Sequence, residues 1–447
     1  MQNVLWILLV IYLSPVRTDT CPSICSCTSN HTADCSARNV KSIDINTFKQ
    51  SGDLIVLRLE NNFLSSLSAD VFSNLVNLKR LDLDQNLLTA LPETIFNPLR
   101  DLKILYLNGN GLTTLPTKIF SQLEDLVILW LHDNKIVSLP SRIFESQKNM
   151  KTLSLVNNSI KKLDKQWFKN LESLEFLAMA NNQIVTIEDG TFDGMINLKN
   201  LSLHHNQITT IGDHAFDLLS KLEILWLYDN NLVKITDTIF KKVPALKSLS
   251  LHNNQLNEIS VNAFQSLTEL EQLYLDGNKL TTLNPSLLNS QKKLRMLELQ
   301  DNRLQSLNVG MFKPLTSLKT FNLSGNPLVC DCELWNVWLW WNARYLNPLA
   351  TCQLPEPDIR VNIREQLQNL TCNIRTETDV QPMIATAAPF KADKYECNCN
   401  ATRLAVGSFV LLIVILVMII GFVVYIKFFS NKPYERNLLV SMTQDTD

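Results

Sequence analysis

Ten cysteines are the residues of this 447-residue chain whose type and spacing could carry chemistry. They fall into three groups, and the long segment between the first two groups contains none. The groups are Cys21, Cys25, Cys27 and Cys35; Cys330, Cys332, Cys352 and Cys372; and Cys397 and Cys399. Thiols at such spacings either form disulfides in an oxidising compartment or bind zinc as thiolates. Their position at the two ends of a cysteine-free segment indicates disulfides that close those ends.

The other reactive side chains match no catalytic pattern. The sequence has no HExxH motif, no nucleophile elbow and no phosphate-binding loop. Four histidines of the central segment lack the spacing of metal ligands, and we expect them to be solvated surface residues; they are His132, His204, His205 and His252. We therefore predict that the chain is not an enzyme and uses no metal and no cofactor.

Composition narrows the class of protein further. Lys and Arg total 41 against 43 Asp and Glu, so the chain has a formal charge of −2 and no general attraction to nucleic acid. Hydrophobic residues make up 46% of the chain, which is too many for a disordered protein. The chain is long enough for several domains or for one elongated array.

Two apolar runs predict how the chain meets a membrane. Residues 4–13 are apolar but too few to span a bilayer, so residues 1–20 are interpreted as a signal peptide. Residues 404–426 carry no charge and are long enough for a transmembrane helix, with one basic residue before them and three after. We expect a single-pass type I protein of the plasma membrane, with its N-terminus extracellular and residues 427–447 as a short cytoplasmic tail. This context favours disulfides over zinc.

A leucine and asparagine pattern with a step of 24 residues occupies the cysteine-free segment. Its first copy reads Leu54-x-x-Leu57-x-Leu59-x-x-Asn62-x-Leu64. The asparagine recurs at Asn86, Asn110, Asn134, Asn158, Asn182, Asn206, Asn230, Asn254, Asn278, Asn302 and Asn326. A phenylalanine follows most of these asparagines ten residues later, and Phe48 lies one period before the first. Twelve copies at one period indicate a repeat array rather than separate domains.

The spacing inside each copy predicts its structure. Leu-x-Leu places both leucines on one face of a short strand, and one such strand cannot bury them alone. Stacked copies would form a parallel sheet along the inside of a solenoid, with the asparagine amide satisfying backbone groups at each turn. The phenylalanines would fill the wider outer side of the core. We expect these residues to be structural.

This pattern resembles the leucine-rich repeat family in its 24-residue extracellular subtype, over roughly residues 21–375. The resemblance implies an α/β-type solenoid, or horseshoe, with a parallel β-sheet on the concave face and a mostly irregular convex side. It also implies a cysteine-rich cap at residues 21–50, twelve repeats at 51–328 and a second cap at 329–375. A stalk of Thr, Ala, Pro and Asp at 376–403 would then lead to the transmembrane helix.

The resemblance also implies how the caps are held. Spacing alone allows three disulfide connectivities in each cap, whereas the family pattern implies Cys21–Cys27, Cys25–Cys35, Cys330–Cys352 and Cys332–Cys372. Four tryptophans follow the first cysteines of the second cap, and we expect two or three of them to cover the open end of the array; they are Trp335, Trp338, Trp340 and Trp341.

Local departures from the pattern lead to two further expectations. Gln147 and Gln291 replace a leucine of the repeat, which we expect to loosen the convex side at those two turns. Cys397 and Cys399 are one residue apart beside the membrane and close a loop together only with strain. This leaves open an interchain bond, either in a homodimer or with a membrane partner.

The leucines and asparagines of the pattern are constant from repeat to repeat. The outward-facing positions vary; they are the third, fifth, seventh and eighth of each repeat. Aromatic and imidazole side chains form two groups there, which we predict to be exposed and to bind ligand: Tyr106, Trp130 and His132, and then Trp226, Tyr228, His252 and Tyr274. The alternative is that these rings simply stack on one another along the sheet. Stacking and ligand binding by these rings are compatible.

Charge and glycosylation signals bear on the same face. Acidic residues outnumber basic ones at the outward positions of this face. The acids are Glu60, Asp82, Asp84, Asp133, Asp229, Asp276, Glu298 and Asp301, and the basic residues are Arg58 and Arg80. This balance favours protein ligands with basic or mixed surfaces over nucleic acid. Glycosylation motifs occur at Asn30, Asn157, Asn200, Asn322, Asn369 and Asn400, and glycans at the middle three would shield part of the face.

Two functions fit these features. The first is a cell-surface recognition or adhesion receptor that binds an extracellular protein ligand on its concave face and signals, if at all, through a partner chain. Its architecture is similar to that of Slit-like repeats, platelet glycoproteins Ib and V and the variable lymphocyte receptors, so innate immunity and cell adhesion both remain open. The alternative is a non-catalytic regulatory or anchoring subunit of another membrane or secreted protein.

Overall fold

The computed structural model describes residues 21–28, 31–344, 346, 350–353 and 360–362. All of them belong to one unit, which lies within Met1–Ala385. The predicted solenoid of stacked parallel strands is confirmed. Among the described residues no helix has the length and apolar character needed to cross a bilayer, and the predicted span at 404–426 lies outside them.

Short strands make up almost all of the regular structure. In chain order they are β1 Ser26–Thr28, β2 Thr32–Asp34, β3 Val56–Arg58, β4 Arg80–Asp82, β5 Ile104–Tyr106, β6 Ile128–Trp130, β7 Thr152–Ser154, β8 Phe176–Ala178, β9 Thr186–Ile187, β10 Asn200–Ser202, β11 Thr210–Ile211, β12 Ile224–Trp226, β13 Lys234–Ile235, β14 Ser248–Ser250, β15 Glu258–Ile259, β16 Gln272–Tyr274, β17 Met296–Glu298, β18 Thr320–Asn322, β19 Leu328–Val329, β20 Thr351–Gln353 and β21 Arg360–Asn362. In the described part of the chain one α-helix, α1, spans Cys332–Asn342, and two short 3₁₀ helices span Lys165–Trp167 and Val309–Met311.

The main sheet has 14 strands, in the order β1 to β8 and then β10, β12, β14, β16, β17 and β18. Only β1 pairs antiparallel, with β2, and each later strand pairs in parallel with the next. The register matches the sequence period, so Leu57 lies beside Leu81 and Leu81 beside Leu105. These leucines are fully buried, and burying them against the neighbouring repeat is what drives the stacking.

Each repeat asparagine joins two repeats through its buried side chain. The Nδ2 of Asn86 donates to the carbonyl oxygens of Leu59, at 3.0 Å, and Leu83, at 3.1 Å. Its Oδ1 accepts the N–H of Leu64 at 3.0 Å. The same bonds recur at the central repeats, for example at Asn206. The asparagine column therefore satisfies backbone groups that the three-residue strands leave without a sheet partner.

A phenylalanine column lines the side of the core away from the main sheet. The rings are fully buried, and the centroids of rings that contact one another in this column lie between 5.8 and 6.5 Å apart. Phe48 begins this column 6.3 Å from Phe72, just as β2 extends the main sheet by one period before β3. The column therefore continues into the N-terminal cap.

The expectation that Gln147 and Gln291 loosen the convex side is wrong. Both side chains are fully buried. The Nε2 of Gln147 donates to the carbonyl oxygens of Phe120, at 2.6 Å, and Leu123, at 3.1 Å, one repeat earlier. Gln291 donates to the carbonyl oxygens of Phe264 and Leu267 at 2.6 and 3.2 Å. A long amide can bond the preceding turn where leucine only packs, so each glutamine ties two turns together.

The eighth position of every repeat has a left-handed backbone. Its φ lies between 51° and 71° in all twelve repeats, which are occupied by Asn61, Gln85, Gly109, Asp133, Asn157, Asn181, His205, Asp229, Asn253, Gly277, Asp301 and Gly325. Asn, Asp and Gly tolerate this conformation best. Their frequency at this position is therefore explained by backbone geometry, and the three aspartates there are weak evidence for an acidic binding face.

Disulfides and aromatic packing close the ends of the array. In the structure Cys21 is joined to Cys27, Cys25 to Cys35, and Cys330 to Cys352. Cys332 is also disulfide-bonded, but its predicted partner, Cys372, lies outside the described residues. The helix α1 begins after Asp331, whose carboxylate accepts the N–H of Leu334 at 2.8 Å.

Helix α1 covers the last repeat with two of the four tryptophans. The Trp340 ring lies 5.5 Å from Phe312, and the Trp341 ring lies 5.9 Å from Phe321. Both indoles are buried, whereas Trp335 and Trp338 are partly buried at the margin of the core. A three-stranded sheet of β19, β20 and β21 completes this cap.

Several predicted features lie outside the described residues. They are the signal peptide at 1–20, the stalk at 376–403, the cytoplasmic tail at 427–447, Cys397 and Cys399, and the glycosylation motifs at Asn30, Asn369 and Asn400. They stay predictions.

Candidate functional site

The concave face is the face of the main sheet opposite the leucine core, and parallel pairing aligns its side chains in rows. At the fifth position of successive repeats, Asp82 pairs with Tyr106, Tyr106 with Trp130, and Trp130 with Ser154. Since neighbouring strands are about 4.8 Å apart, side chains in a row are in contact range. The two predicted groups of rings are therefore each brought together.

In the first group, rings stack between neighbouring strands. The centroids of Tyr106 and Trp130 are 4.2 Å apart and their planes differ by 22°. His132 lies against the indole at 5.4 Å. The Arg80 guanidinium covers the Tyr106 ring from the other side at 5.0 Å. The prediction that this group is exposed is wrong for Tyr106, which is only 7% exposed because it lies between Arg80 and Trp130.

Hydrogen-bonding atoms without partners surround the first group. Among the described residues, these buried atoms include Glu60 Oε2, Asn108 Oδ1, Trp130 Nε1, His132 Nδ1 and Ser154 Oγ. Leaving such an atom unpaired costs about 1–3 kcal/mol. All five side chains are at the fifth or seventh positions of repeats one to five, on the same face. Buried polar groups are normally hydrogen-bonded, so several unpaired ones in one place require an explanation, and a bound partner would supply the missing bonds.

Carboxylates border the first group on its N-terminal side. Asp82 is 2% exposed, and its Oδ1 accepts a bond from Arg80 Nε at 2.9 Å. Glu60 and Asp84 have no ion-pair partner among the described residues. Burial, and then repulsion from Asp82 and Glu60, raises the pKa of Asp84 to about 6. Burial is also the main cause of the raised pKa of Glu60.

The second group is a continuous stack. Tyr228 lies between the imidazoles of His204 and His252, with centroids 4.3 Å from each and planes within 10°. Tyr274 meets His252 edge-on at 6.2 Å, and Trp226 meets His204 edge-on at 5.8 Å. These four predicted residues are partly buried rather than exposed, because neighbouring rings cover one another. The alternative that these rings stack on one another along the sheet therefore describes this group well.

His204 stacks on the second group although it was not predicted to belong to it. We expected a solvated surface histidine, but His204 is buried by the rings on either side. Its Nδ1 is 2.9 Å from Ser202 Oγ, and His252 Nδ1 is 2.8 Å from Ser250 Oγ. Burial lowers the pKa of His204 to about 4, so this imidazole is neutral at physiological pH. The repeat register places His204 directly before Tyr228 in the seventh-position row, and this was the signal in the sequence that a neighbouring ring would bury it.

Acidic residues recur beyond the second group. Burial raises the pKa of Asp276, and burial together with repulsion from Asp276 raises the pKa of Glu298. Asp229 lies on the eighth-position turn, where its Oδ2 is 3.2 Å from His205 Nδ1. Acidic side chains therefore flank the aromatic stack on its C-terminal side as well.

Three glycosylation motifs lie in the described part of the chain. Asn157 is exposed, and its Nδ2 donates to Asp133 Oδ1 at 2.6 Å. Asn200 and Asn322 are partly buried strand residues of the main sheet. Glycosylation at all three stays a prediction. The described residues contain no cluster of three or more side chains able to hold a metal ion.

Asn108 and Ser154 are site residues that no pattern in the sequence singles out. Asn108 looks like an ordinary polar strand residue, and Ser154 like a small spacer between larger side chains. Their significance depends on burial without a hydrogen-bond partner, which only the packed structure shows. The local signal in the sequence was their position beside Trp130 and His132 in the repeat register.

Comparison with known proteins identifies the repeat. The profile described as "Leucine rich repeat" matches residues 35–88, 76–136, 124–184, 177–232, 220–280 and 275–328. These segments overlap and together cover more than half of the chain. The search of curated proteins found no significant match.

Solved structures with similar folds include proteins of several kinds. A leucine-rich repeat protein of Leptospira interrogans is 28% identical, over 72% of this chain and 79% of that chain, with a TM-score of 0.61. TLR13, solved with ssRNA13, is 27% identical over 71% of this chain and 54% of its own, with a TM-score of 0.52. A chain of the Toll–Spatzle complex of Drosophila is 22% identical over 74% of this chain and 53% of its own, with a TM-score of 0.60. At 22% identity the likeness shows only the shared fold.

Proposed function

This chain belongs to the leucine-rich repeat family, and from that premise we propose that it is a cell-surface recognition or adhesion receptor that binds a protein ligand on its concave face. The location is the plasma membrane, with the repeats outside the cell, on the basis of the two apolar segments of the sequence. In this proposal any signal passes through a partner chain.

The observation that supports this function most strongly is the first aromatic group. Stacked rings, unpaired hydrogen-bonding atoms and carboxylates without ion pairs lie together on one face of the main sheet. Aromatic side chains with polar neighbours are typical of protein interfaces. Proteins of this family are typically receptors without catalytic activity, which agrees with the lack of a catalytic motif in the sequence.

The ligand is a protein rather than a nucleic acid. TLR13 was solved with ssRNA13 and Toll with Spatzle, so both ligand classes occur among proteins of this fold. Here the face carries Glu60, Asp82, Asp84, Asp276 and Glu298, and their carboxylates would repel phosphates.

Replacement of one tryptophan in each aromatic group tests the concave-face proposal. The double variant Trp130→Ala, Trp226→Ala should lose at least about tenfold in affinity for the captured ligand, because interface aromatics often dominate binding energy. The circular dichroism of the variant should stay unchanged, since both indoles are partly exposed. Undiminished capture by a folded double variant would show that the ligand binds elsewhere.

The alternative is a regulatory or anchoring subunit, for which Cys397 and Cys399 beside the predicted membrane span are the supporting feature. Cross-linking at the cell surface, followed by identification of the attached protein, separates the two functions. A partner in the same membrane supports the subunit, and a partner on another cell or in the medium supports the receptor.

A further inference from the structure

We propose that the ligand docks on the N-terminal part of the concave face, and that the docking segment is an extended peptide stretch carrying a Lys or Arg side chain. We call this surface the N-terminal patch and define it by Glu60, Asp84, Asn108, Trp130 and His132. The inference rests on the proposed function, which requires only that some part of the concave face binds a protein.

The first argument is the hydrogen-bonding character of the patch. Asn108 is only 6% exposed, and its Oδ1 has no partner among the described residues. Trp130 Nε1 is a donor without a partner in the same part of the chain. The patch therefore contains both a buried acceptor and a buried donor that lack a partner in the described chain. An extended peptide fits this need because each of its units offers one N–H and one C=O.

The residues of the patch follow one another across adjacent strands. The backbone N–H of Gln85 bonds the carbonyl oxygen of Asn108, and the N–H of Gly109 bonds that of His132, so Asp84, Asn108 and His132 are successive members of the seventh-position row. At about 4.8 Å per strand, the four repeats from Glu60 to His132 span roughly 14 Å. An extended segment of about six residues is long enough to cross them at about 3.4 Å per residue.

The second argument is charge. Both neighbouring arginines are directed to Asp82, with Arg80 Nε at 2.9 Å from its Oδ1 and Arg58 Nε at 3.9 Å from its Oδ2. Glu60 and Asp84 consequently remain as half-buried carboxylates without an ion pair in the described chain. A ligand cation at this point would supply the missing partner and make charge-assisted hydrogen bonds.

The third argument is the ring beside the carboxylates. One face of Tyr106 is already covered by the Arg80 guanidinium at 5.0 Å, and its other side stacks on Trp130. The same kind of contact is available to a ligand cation at Trp130, since Trp is the best aromatic partner for a guanidinium or an ammonium. Lys or Arg is therefore favoured over a neutral side chain.

The second aromatic group also has carboxylates beside it, but its own hydrogen-bonding atoms and ring faces are already occupied. The Nδ1 atoms of His204 and His252 bond Ser202 and Ser250. Tyr228 has an imidazole on each face. None of the unpartnered buried atoms of the described chain belongs to this group. We therefore assign it to the support of the sheet and assign docking to the N-terminal patch.

Two synthetic peptides of about six residues test the proposal, one alternating Thr with Lys and the other Thr with Glu, each labelled for fluorescence anisotropy. The full chain should bind the Lys peptide at least about tenfold more tightly than the Glu peptide. Asp84→Asn should weaken binding of the Lys peptide about tenfold, and Trp130→Phe, which keeps a ring but removes the donor, about threefold. Matched changes outside both aromatic groups, Asp101→Asn at an exposed turn and Trp338→Phe in the C-terminal cap, should leave affinity within about twofold.

Equal binding of the two peptides, or equal losses in the matched variants, would overturn the N-terminal patch. The natural ligand separates this inference from the proposed function. If Trp226→Ala alone abolishes capture while Trp130→Ala does not, the concave face binds ligand but the patch is wrong. If the double variant still captures ligand, the concave-face proposal itself is wrong.

Discussion

At the scale of single residues, Asp84 shows what an unpaired carboxylate costs the folded chain. Its pKa rises from 3.8 to about 6, first because burial removes water and then because Asp82 and Glu60 lie nearby. The folded state therefore binds a proton more tightly than the unfolded state does. This contribution to stability is fully present below pH 3.8 and is lost as pH rises through about 6. Groups with strongly shifted pKa values cluster at functional sites, which agrees with the place of Asp84 in the N-terminal patch.

Replacing Asp84 with Asn should stabilise the protein at pH 7, because the amide carries no charge to desolvate. The variant should melt above the wild type at pH 7, and the difference should shrink towards zero near pH 4, where Asp84 is protonated. Thermal unfolding followed by circular dichroism across this range measures the difference. The exposed carboxylate of Asp101 is a matched site, and Asp101→Asn should change the melting temperature little at any pH. A constant difference between Asp84→Asn and the wild type would rule out this protonation.

Sequence identified the rows of side chains but not their degree of exposure. The 24-residue step places Tyr106 beside Trp130 and Tyr228 beside His252, as the structure shows. Whether a ring in a row is open or covered depends on rotamers in two neighbouring repeats, and no local pattern encodes those. The same limit explains His204, which was expected to be solvated and is buried.

At the scale of the elements, strands of only three residues depend on side-chain hydrogen bonds for their backbone. Asn206 illustrates this in the middle of the array. Its Nδ2 donates to the carbonyl oxygens of Met179 and Leu203, both at 3.0 Å, and its Oδ1 accepts the N–H of Ile184 at 3.0 Å. The 24-residue period and the asparagine at each turn predicted this column of asparagines. Few other side chains can donate and accept hydrogen bonds through one terminal group.

Asn206→Ala should lower the free energy of unfolding by about 3 kcal/mol, since it leaves the buried N–H of Ile184 and two carbonyl oxygens without partners. The exposed Asn257 provides the control, and Asn257→Ala should cost less than about 0.5 kcal/mol. Urea denaturation gives both values, and hydrogen exchange at the Ile184 amide reports the site itself. Unchanged protection of that amide in Asn206→Ala would show that the column contributes less than its geometry suggests.

A second element-scale feature was missed because it lies outside the leucine frame. At the second position of successive repeats, Glu175 lies between Lys151, at 3.7 Å, and Lys199, at 2.6 Å. Glu223 and Lys247 continue the alternation one and two repeats later. The bond from Lys199 is the main cause of the lowered pKa of Glu175. These pairs are exposed and individually weak, but they favour one register of neighbouring repeats over another.

At the scale of the whole array, stability depends on neighbours and therefore on the ends. Each repeat buries its leucines only against the next, so the last repeat needs a cover that is not itself a repeat. Helix α1 supplies it through Trp340 and Trp341, whose rings pack on Phe312 and Phe321. Resemblance to a capped repeat family predicted this arrangement, but which tryptophans face inward could not be read from four closely spaced indoles.

Trp341→Ala should therefore unfold the array from its C-terminal end. Trp341 is 2% exposed, and its removal should cost about 3–5 kcal/mol at the cap, because the cavity uncovers Phe321. Hydrogen exchange should show lost protection in β17 and β18, while β8 and β10 in the middle of the array keep theirs, since each repeat contacts only its neighbours. Leu339, on the same helix but 38% exposed, is the control, and Leu339→Ala should leave protection unchanged throughout. Uniform loss of protection along all repeats in Trp341→Ala would instead mean that the array unfolds as one cooperative unit, with the cap acting on every repeat at once.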